Sequence, residues 1–291
     1  MFEGSKYIEA FTTSFEGYAN YLIGEITHVH WGNYFYWLTA ISLCFLLMEI
    51  IVPWRKQQQV LRNRFWMDAF YMYFNFFLFS LVGFAAISDV AVLFFGDILR
   101  SFGVNNLVAI YVGNLPVWLQ LLMLLVIRDF LHYFIHRLLH AVPVLWKFHM
   151  VHHSIREMGF AAHLRFHWME TIVYRALEYL PLALIGFGID DFLIVHLFSL
   201  TIGHANHSNI YIPLGPFKYL LNTPQMHIWH HAKKLPNRTG VNFGLTFSLW
   251  DYLFGTAHVP ESGRDIELGF DNVEEYPQTF WRQLLAPFKK P

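Results

Sequence analysis

Several features that commonly carry redox chemistry or nucleic-acid binding are missing from this sequence. Its single cysteine, Cys44, excludes an internal disulfide, a cysteine zinc site and a cysteine-ligated iron–sulfur cluster. It has neither the GxGxxG segment typical of flavin or nicotinamide binding nor the HPGG segment typical of cytochrome b5. Charged residues make up only 14% of the chain, against about 25% in soluble domains, and the net charge is −1. A soluble globular protein and a nucleic-acid-binding protein are therefore both disfavoured.

Hydrophobic residues, in contrast, make up 55% of the sequence, and aromatic residues make up 19%. Three long apolar runs cover residues 34–52, 65–88 and 107–127. A run of about 20 apolar residues is long enough to cross the hydrocarbon core of a bilayer. The third run contains a glycine and a proline in its first half, so we place its crossing at residues 115–134. These runs predict an integral membrane protein.

The distribution of positive charge gives this membrane protein an orientation. The basic segment 53–64 separates the first two apolar runs, and the positive-inside rule places it in the cytosol. We therefore predict an all-α integral membrane protein with about four transmembrane helices and a cytosolic helical cap, in a single membrane domain spanning residues 1–291. Its parts are an N-terminal interfacial segment (1–33), transmembrane helices (34–135), a cap region (136–258) with a second helical hairpin (171–203), and a membrane-surface tail (259–291).

Histidines are the most informative residues of the cap region. Of the 17 histidines, ten fall into four groups with helical spacing: His136 and His140; His149, His152 and His153; His204 and His207; His227, His230 and His231. Residues three or four apart project from one face of a helix, so each group presents its imidazoles in one direction. Neutral imidazole is the commonest metal ligand in proteins. The pattern predicts one all-histidine metal centre, large enough for two ions with about five nitrogens each.

The alternative is that these histidines only pack and form hydrogen bonds. A single histidine on an apolar face usually does so, and pairs four residues apart also arise by chance. Two HxxHH triplets together with two further pairs are a different case. Without metal, many of their nitrogens would be buried without partners, at a cost of about 1–3 kcal/mol each. The metal-binding interpretation is therefore favoured.

The motifs around these histidines resemble those of the fatty acid hydroxylase and sterol desaturase superfamily. Within it, they are nearest to bacterial sterol-desaturase-like proteins and alkylglycerol monooxygenase. The resemblance covers roughly residues 64–256. It rests on the order HxxxH, HxxHH, HxxHH, on Asp129, Tyr133, His136, Arg137 and His140 spaced as DxxYxxHRxxH, on the segment NTPQMHIWHH around His227, and on NFG (242–244) and LWDYLFGT (249–256).

This resemblance implies a non-haem di-iron centre that activates O2 and hydroxylates, or otherwise oxidises, a C–H bond of a membrane lipid. Zinc is expected as a substitute for iron in purified protein. Electrons are expected from a separate donor of the ferredoxin or cytochrome b5 type. The implied metal ligands are His136, His140, His149, His152, His153, His204, His207, His227, His230 and His231, with His163 as the alternative to His204. The residues expected to orient these ligands are Asp129, His132, Tyr133, His163, His167 and Glu170.

Two other functions remain open from the sequence. A lipid or sterol desaturase would use the same di-iron ligands, because hydroxylation and desaturation both begin with hydrogen abstraction. A histidine-lined metal transporter belongs to another class, but its polar ligands should lie near the bilayer midplane. Here the histidine groups fall at the cytosolic ends of the predicted helices. We therefore expect a cytosolic active site, in a bacterial inner membrane or, for a eukaryotic protein, in the ER membrane.

Overall fold

Helices form most of the described part of the protein. The structure is a computed structural model, and it describes residues 4–75, 86–103, 112–183, 185, 187, 189–237, 239–260 and 262–289. The α-helices are α1 (Gly4–Thr27), α2 (Tyr34–Ile51), α3 (Phe65–Tyr73), α4 (Ala86–Ser101), α5 (Val117–Ala141), α6 (Pro143–His153), α7 (Trp168–Ala183), α8 (Ile189–His207), α9 (Pro224–His230), α10 (Leu249–Leu253) and α11 (Phe280–Leu285). Short 3-10 helices lie at Phe160–Leu164, Gly215–Tyr219 and Ala286–Phe288. Within the described ranges, β-pairing is limited to one isolated bridge between Ala232 and Leu268. The predicted all-α class is confirmed.

Two of the described helices are long and apolar enough to cross a membrane, namely α2 and α5. The Asn33 side chain caps α2 by accepting a hydrogen bond from the Tyr36 N–H, and the helix ends before Pro53. In each helix only 28% of the most apolar 18-residue window is buried within the protein, which leaves wide apolar faces for lipid. The expected count of about four spans stays a prediction, because residues 76–85 and 104–111 lie outside the described ranges.

The segment after the second apolar run differs from the expectation. The mix of Gly96, Asp97, Arg100 and Gly103 predicts a short outer-face or interfacial connection over residues 90–106. The structure instead continues helix α4 to Ser101, and this helix packs along α1. Apolar residues recur at Val90, Leu93 and Ile98, which is the spacing of one helical face. Asp97 joins the two helices by accepting hydrogen bonds from Lys6 Nζ and from Tyr7 Oη, the latter at 2.9 Å. The N-terminal segment is therefore a helix of 24 residues with a helical partner.

The region predicted as a second hairpin, 171–203, contains α7 and α8, which extend a few residues beyond these bounds and both pack on α5. Beneath it, a buried ion network ties α3 to the turn that follows α6. Asp68 accepts hydrogen bonds from Arg62 and, at 2.8 Å, from Arg165 Nη1, and Arg165 Nη2 donates to Ser154 Oγ at 2.9 Å. All four side chains are buried. The network therefore holds α3 against the C-terminal end of α6, one of the helices that carry the clustered histidines.

Candidate metal centre

Four helices supply the histidines of the site. The C-terminal half of α5 carries His136 and His140, and α6 begins directly afterwards at Pro143, a residue whose fixed φ suits the first turn. The last turn of α6 carries one HxxHH triplet. The second triplet begins on α9, where Thr223 caps the helix by accepting a hydrogen bond from Met226 N–H. His204 and His207 lie in the last turn of α8.

Nine of the ten predicted histidines form two compact groups. The first histidine group consists of His136, His140, His149, His153 and His230. The second histidine group consists of His152, His207, His227 and His231. Within each group, one ring nitrogen of every member lies within 4.8 Å of those of the others. The groups adjoin each other, because the stacked rings of His153 and His231 have centroids 4.4 Å apart.

Each HxxHH triplet is divided between the two groups. On α6, His149 and His153 belong to the first group, whereas His152 belongs to the second. The second triplet is divided the other way, with His230 in the first group and its neighbours His227 and His231 in the second. Adjacent positions on a helix point about 100° apart, so two consecutive histidines can serve two separate centres.

The hydrogen bonds of the rings decide which nitrogen is free to bind metal. His136 Nδ1 donates to the carbonyl oxygen of Phe243 at 2.9 Å, and His230 Nδ1 donates to that of Val241 at 2.7 Å. A neutral imidazole that donates through Nδ1 carries its lone pair on Nε2. In the first group, the buried Nε2 atoms of His140, His149, His153 and His230 have no hydrogen-bond partner among the described residues. Unpaired buried nitrogens of this kind fit a bound cation.

The second group gives a sharper test of that fit. His152 Nδ1 donates to the carbonyl of Arg165 at 3.2 Å, and His207 Nδ1 donates to that of Gly203 at 2.8 Å. Their Nε2 atoms are 3.2 Å apart and both present lone pairs, which cannot hydrogen bond to each other. Two nitrogens bound at right angles to one ion, each about 2.1 Å from it, would be about 3.0 Å apart. The contact therefore fits two ligands of a shared ion.

Burial keeps these imidazoles in the form that binds metal. Desolvation lowers the pKa of His149 to about 3 and that of His207 to about 4. It also lowers the pKa of His230 and of His231 well below the usual value, with neighbouring imidazoles adding to the effect. Metal binding requires neutral imidazole, so a site of this kind needs no deprotonation at neutral pH.

Glu170 makes the most direct contact among the six residues expected to orient the ligands. Its Oε2 accepts a hydrogen bond from His149 Nδ1 at 2.7 Å, and both side chains are buried. Its Oε1 accepts from the His167 N–H at 3.4 Å, which fixes the carboxylate at the start of α7. Burial raises the pKa of Glu170 to about 8. A cation bound to His149 would favour the ionised carboxylate, which fixes the tautomer of the ring and raises its basicity. His167 itself contacts no predicted ligand; its Nε2 donates to the Leu284 carbonyl at 3.0 Å.

Asp129 and Tyr133 act on the loop 242–256 instead of on a histidine. Asp129 accepts hydrogen bonds from the N–H groups of Thr246 at 2.8 Å and Phe247 at 3.0 Å, and the Tyr133 hydroxyl lies 2.8 Å from Thr256 Oγ1. Their effect on the site is indirect, because the same loop carries the Phe243 carbonyl that receives His136 Nδ1.

His204 and His163 lie outside both groups. His204 Nε2 is 3.2 Å from Ser42 Oγ on α2, and its Nδ1 is 2.9 Å from His163 Nδ1, so both of its nitrogens are engaged. His163 lines the cavity beside the second group, and its ring centroid is 5.2 Å from that of His207. His132 also lines the cavity and hydrogen bonds to Glu178.

Several partners of the site escaped the sequence analysis. The carbonyls of Gly203, Val241 and Phe243 belong to the main chain, which every residue shares, so no side-chain signal points to them. Asp251 was also missed; it holds the loop by accepting from the Phe243 and Gly244 N–H groups, both at 2.8 Å. Its place in the LWDYLFGT segment was the available signal.

Together, the helices and the two groups define an all-helical protein with a candidate histidine-rich metal site. Comparison with known proteins narrows this class. Residues 121–256 match the family described as "Fatty acid hydroxylase", and this range contains every member of both histidine groups. This match, together with relatives from the same superfamily, confirms the resemblance noted in the sequence. The family and its relatives indicate an oxidoreductase.

Similar curated proteins include the ornithine lipid hydroxylase OlsE of Rhizobium tropici, 34% identical over 60% of this chain and 52% of that protein. The alkylglycerol monooxygenase of Xenopus tropicalis is 33% identical over 46% of this chain and 29% of its own length. The very-long-chain aldehyde decarbonylase GL1-10 of Oryza sativa subsp. japonica is 31% identical over 47% of this chain and 46% of its own length. The chain thus spans about half or less of these relatives. No solved structure matches.

Proposed function

We propose that this chain is a membrane-bound, O2-dependent oxidoreductase that hydroxylates a C–H bond of a membrane lipid. The observation that carries the proposal is the pair of buried histidine groups: four Nε2 atoms of the first group have no partner among the described residues, and in the second group His152 and His207 present Nε2 lone pairs to each other. The lipid hydroxylase and the monooxygenase among the relatives supply the reaction class. Membership of an oxidoreductase family favours this function over a metal transporter.

The proposed metal centre is a non-haem di-iron site held by the nine grouped histidines, with zinc as a substitute in purified protein. When bound, the irons would supply O2 activation and abstraction of hydrogen from carbon. The chain's own residues hold the ligands in one tautomer, through Glu170 and the main-chain carbonyls, and keep the site away from bulk water. We propose that a tenth nitrogen, from His163 or His204, is added only if its ring turns from its present partner.

The proposed substrate reaches the histidines through a cavity of about 180 Å³ that borders both groups. Its wall includes His136 and His149 of the first group and His152, His207 and His227 of the second. Two apolar helices that leave most of their surface to lipid support delivery of a membrane lipid. We further propose that the site faces the cytosol, in a bacterial inner membrane or, for a eukaryotic protein, the ER membrane. A separate ferredoxin or cytochrome b5 would supply the electrons.

The deciding experiment is to purify the iron-loaded protein in lipid nanodiscs and supply 18O2 with reduced ferredoxin or, in a parallel sample, with reduced cytochrome b5. We expect about two irons per chain, and one 18O atom in a lipid product identified by mass spectrometry. An unlabelled alkene would replace the hydroxylase with the desaturase alternative. Fewer than two metal equivalents, or no change in any lipid with either donor type, would contradict the proposal.

A further inference from the structure

The cavity beside the histidine groups has a second, polar wall that no metal requires. On α5, α7 and α8 this wall includes Arg128, His132, Tyr174, Glu178, His196 and Ser199. Ionisable side chains between apolar helices are costly to bury, and they commonly mark a functional site. Here Arg128 and His132 lie within α5, one of the two helices apolar enough to cross a membrane.

Glu178 is the centre of this wall. Its Oε2 lies 3.3 Å from Arg128 Nε, and its Oε1 accepts a hydrogen bond from His132 Nδ1 at 2.9 Å. Arg128 is anchored in turn, because its Nη1 donates to Ser199 Oγ at 2.7 Å. The guanidinium of Arg128 is the counter-ion of this carboxylate, so the charge of Glu178 is balanced without a charge on His132.

The His132 ring is fixed from a second direction. It stacks on the ring of Tyr174, with centroids 4.6 Å apart and planes 16° from parallel. Because Nδ1 donates to Glu178, Nε2 of a neutral His132 is a hydrogen-bond acceptor. Neither this Nε2 nor the Tyr174 hydroxyl has a hydrogen bond within the described part of the chain, and both residues line the cavity. The cavity therefore offers one fixed acceptor beside one hydroxyl.

This pair of groups is close to the proposed reaction centre. His132 precedes His136 by about one helical turn on α5, and the centroids of the two rings are 6.0 Å apart. A substrate group bound by His132 would therefore place the atoms a few bonds away beside the first histidine group. A plain hydrocarbon in the same position would leave the acceptor and the hydroxyl without partners, at a cost of about 1–3 kcal/mol for each group.

We propose that His132 and Tyr174, positioned by Glu178 and Arg128, form a polar subsite that binds a hydrogen-bond-donating group of the substrate. The subsite selects a lipid in which the oxidised carbon lies within a few bonds of a hydroxyl, amide or amine, in or next to the head group. A methylene in the middle of an acyl chain does not meet this requirement. This inference rests on the proposed lipid oxidation and names the part of the lipid that is oxidised.

The test uses binding, so that it does not depend on turnover. Tritiated 1-hexadecanol and tritiated 1-hexadecyl methyl ether share the same tail, but only the alcohol can donate a hydrogen bond. Their dissociation constants are measured on the full-length, iron-loaded protein in nanodiscs. We expect the alcohol to bind about tenfold more tightly, which corresponds to about 1.4 kcal/mol. Tyr174→Phe and His132→Leu should each reduce that preference to less than about threefold.

Controls distinguish loss of the subsite from loss of folding, and failure of this inference from failure of the proposed reaction. Tyr252→Phe removes a tyrosine hydroxyl outside the cavity and should keep the tenfold preference. Iron content and melting temperature verify that each variant is folded, and Glu178→Gln provides a second, milder change to the same set. Equal binding of alcohol and ether to the unmodified protein, or an unchanged preference in Tyr174→Phe and His132→Leu, would overturn the inference. Absence of 18O from every lipid would overturn only the proposed reaction.

Discussion

The two histidine groups border one cavity but are oriented by different chemistry. In the first group, the carboxylate of Glu170 holds His149, while main-chain carbonyls hold His136 and His230. In the second group, the contacts that fix His152 and His207 come from main-chain carbonyls. A carboxylate makes a bound imidazole more basic than a carbonyl does. The comparison therefore predicts two metal positions of unequal electron density, with the first group binding its ion through the more basic ligands.

Removing one ligand from each group should have the largest effect. His153→Ala and His231→Ala change two stacked neighbours that belong to different groups. Because outer partners of a metal site alone are worth about 10–100-fold, loss of a ligand should lower lipid oxidation by more than about 100-fold. Each variant should also bind fewer iron equivalents, measured by atomic absorption. Full iron content with normal turnover in either variant would remove its group from the metal centre.

A buried ion network should link stability to the second group. Asp68→Asn leaves the buried Arg62 and Arg165 without their shared carboxylate, at a cost of about 3–5 kcal/mol. Since the Arg165 carbonyl receives His152 Nδ1, iron loss should begin in the second group. Thermal unfolding in detergent measures the first effect, and iron content measures the second.

The matched control for Asp68 is Asp265→Asn, which changes an exposed aspartate paired with Arg264. Surface ion pairs contribute little to stability, so its melting temperature should stay that of the unmodified protein. Equal melting temperatures for the two variants would show that the buried network has no special role.

Glu170→Gln should distinguish the two groups directly. The amide oxygen can still accept from His149 Nδ1, but it lacks the negative charge that raises the basicity of the ring. We expect about a 10–100-fold loss of iron affinity, confined to one of the two ions. Iron titration followed by Mössbauer spectroscopy measures this asymmetry. Glu157→Gln is the control, because that carboxylate accepts from the Asn63 N–H and contacts no histidine; a uniform loss of both ions in Glu170→Gln would contradict the comparison.

Tyr133→Phe should have the smallest effect. It removes the hydrogen bond between α5 and Thr256 in the loop that supports His136, which is worth about 1 kcal/mol of stability. Because the loop is also held by Asp129 and Asp251, iron content should stay unchanged. The melting temperature measures the loss of stability, and atomic absorption measures the iron content. Loss of iron from Tyr133→Phe would mean that the loop has less support than its other hydrogen bonds suggest.

The sequence predicted the grouping of the histidines better than the surroundings of the groups. Helical spacing was sufficient for nine histidines, because an HxxHH triplet on any helix presents neighbouring imidazoles to a common volume. The same reasoning did not place His204. Positions three apart on a helix point about 60° away from each other, and here His207 faces the second group while His204 faces Ser42 on α2. Tertiary packing decides which neighbour a helical face contacts. The spacing of residues along one helix carries no information about that neighbour.

The fold was predicted in class and less well in detail. Long apolar runs identified α2 and α5 because a span needs only length and hydrophobicity. Helix α4 was missed because its glycine, aspartate and arginine are typical of a connecting segment. In the structure, Asp97 of this helix accepts hydrogen bonds from Lys6 and Tyr7 of α1. That partner lies about ninety residues away in the chain, so only the folded protein reveals why a charged segment is helical.

The division of each HxxHH triplet has a mechanical consequence. A helical turn is stiff, and on α6 it carries His152 for one ion and His149 and His153 for the other. The spacing of the two proposed ions is therefore set partly by this one helix. Helix α9 and its C-cap residue repeat the arrangement in reverse, with His230 in the first group and His227 and His231 in the second. A displacement of either helix would therefore move ligands of both groups together. The pair would behave as a single mechanical unit throughout the catalytic cycle, and adjustments to the substrate would fall to the side chains of the opposite cavity wall.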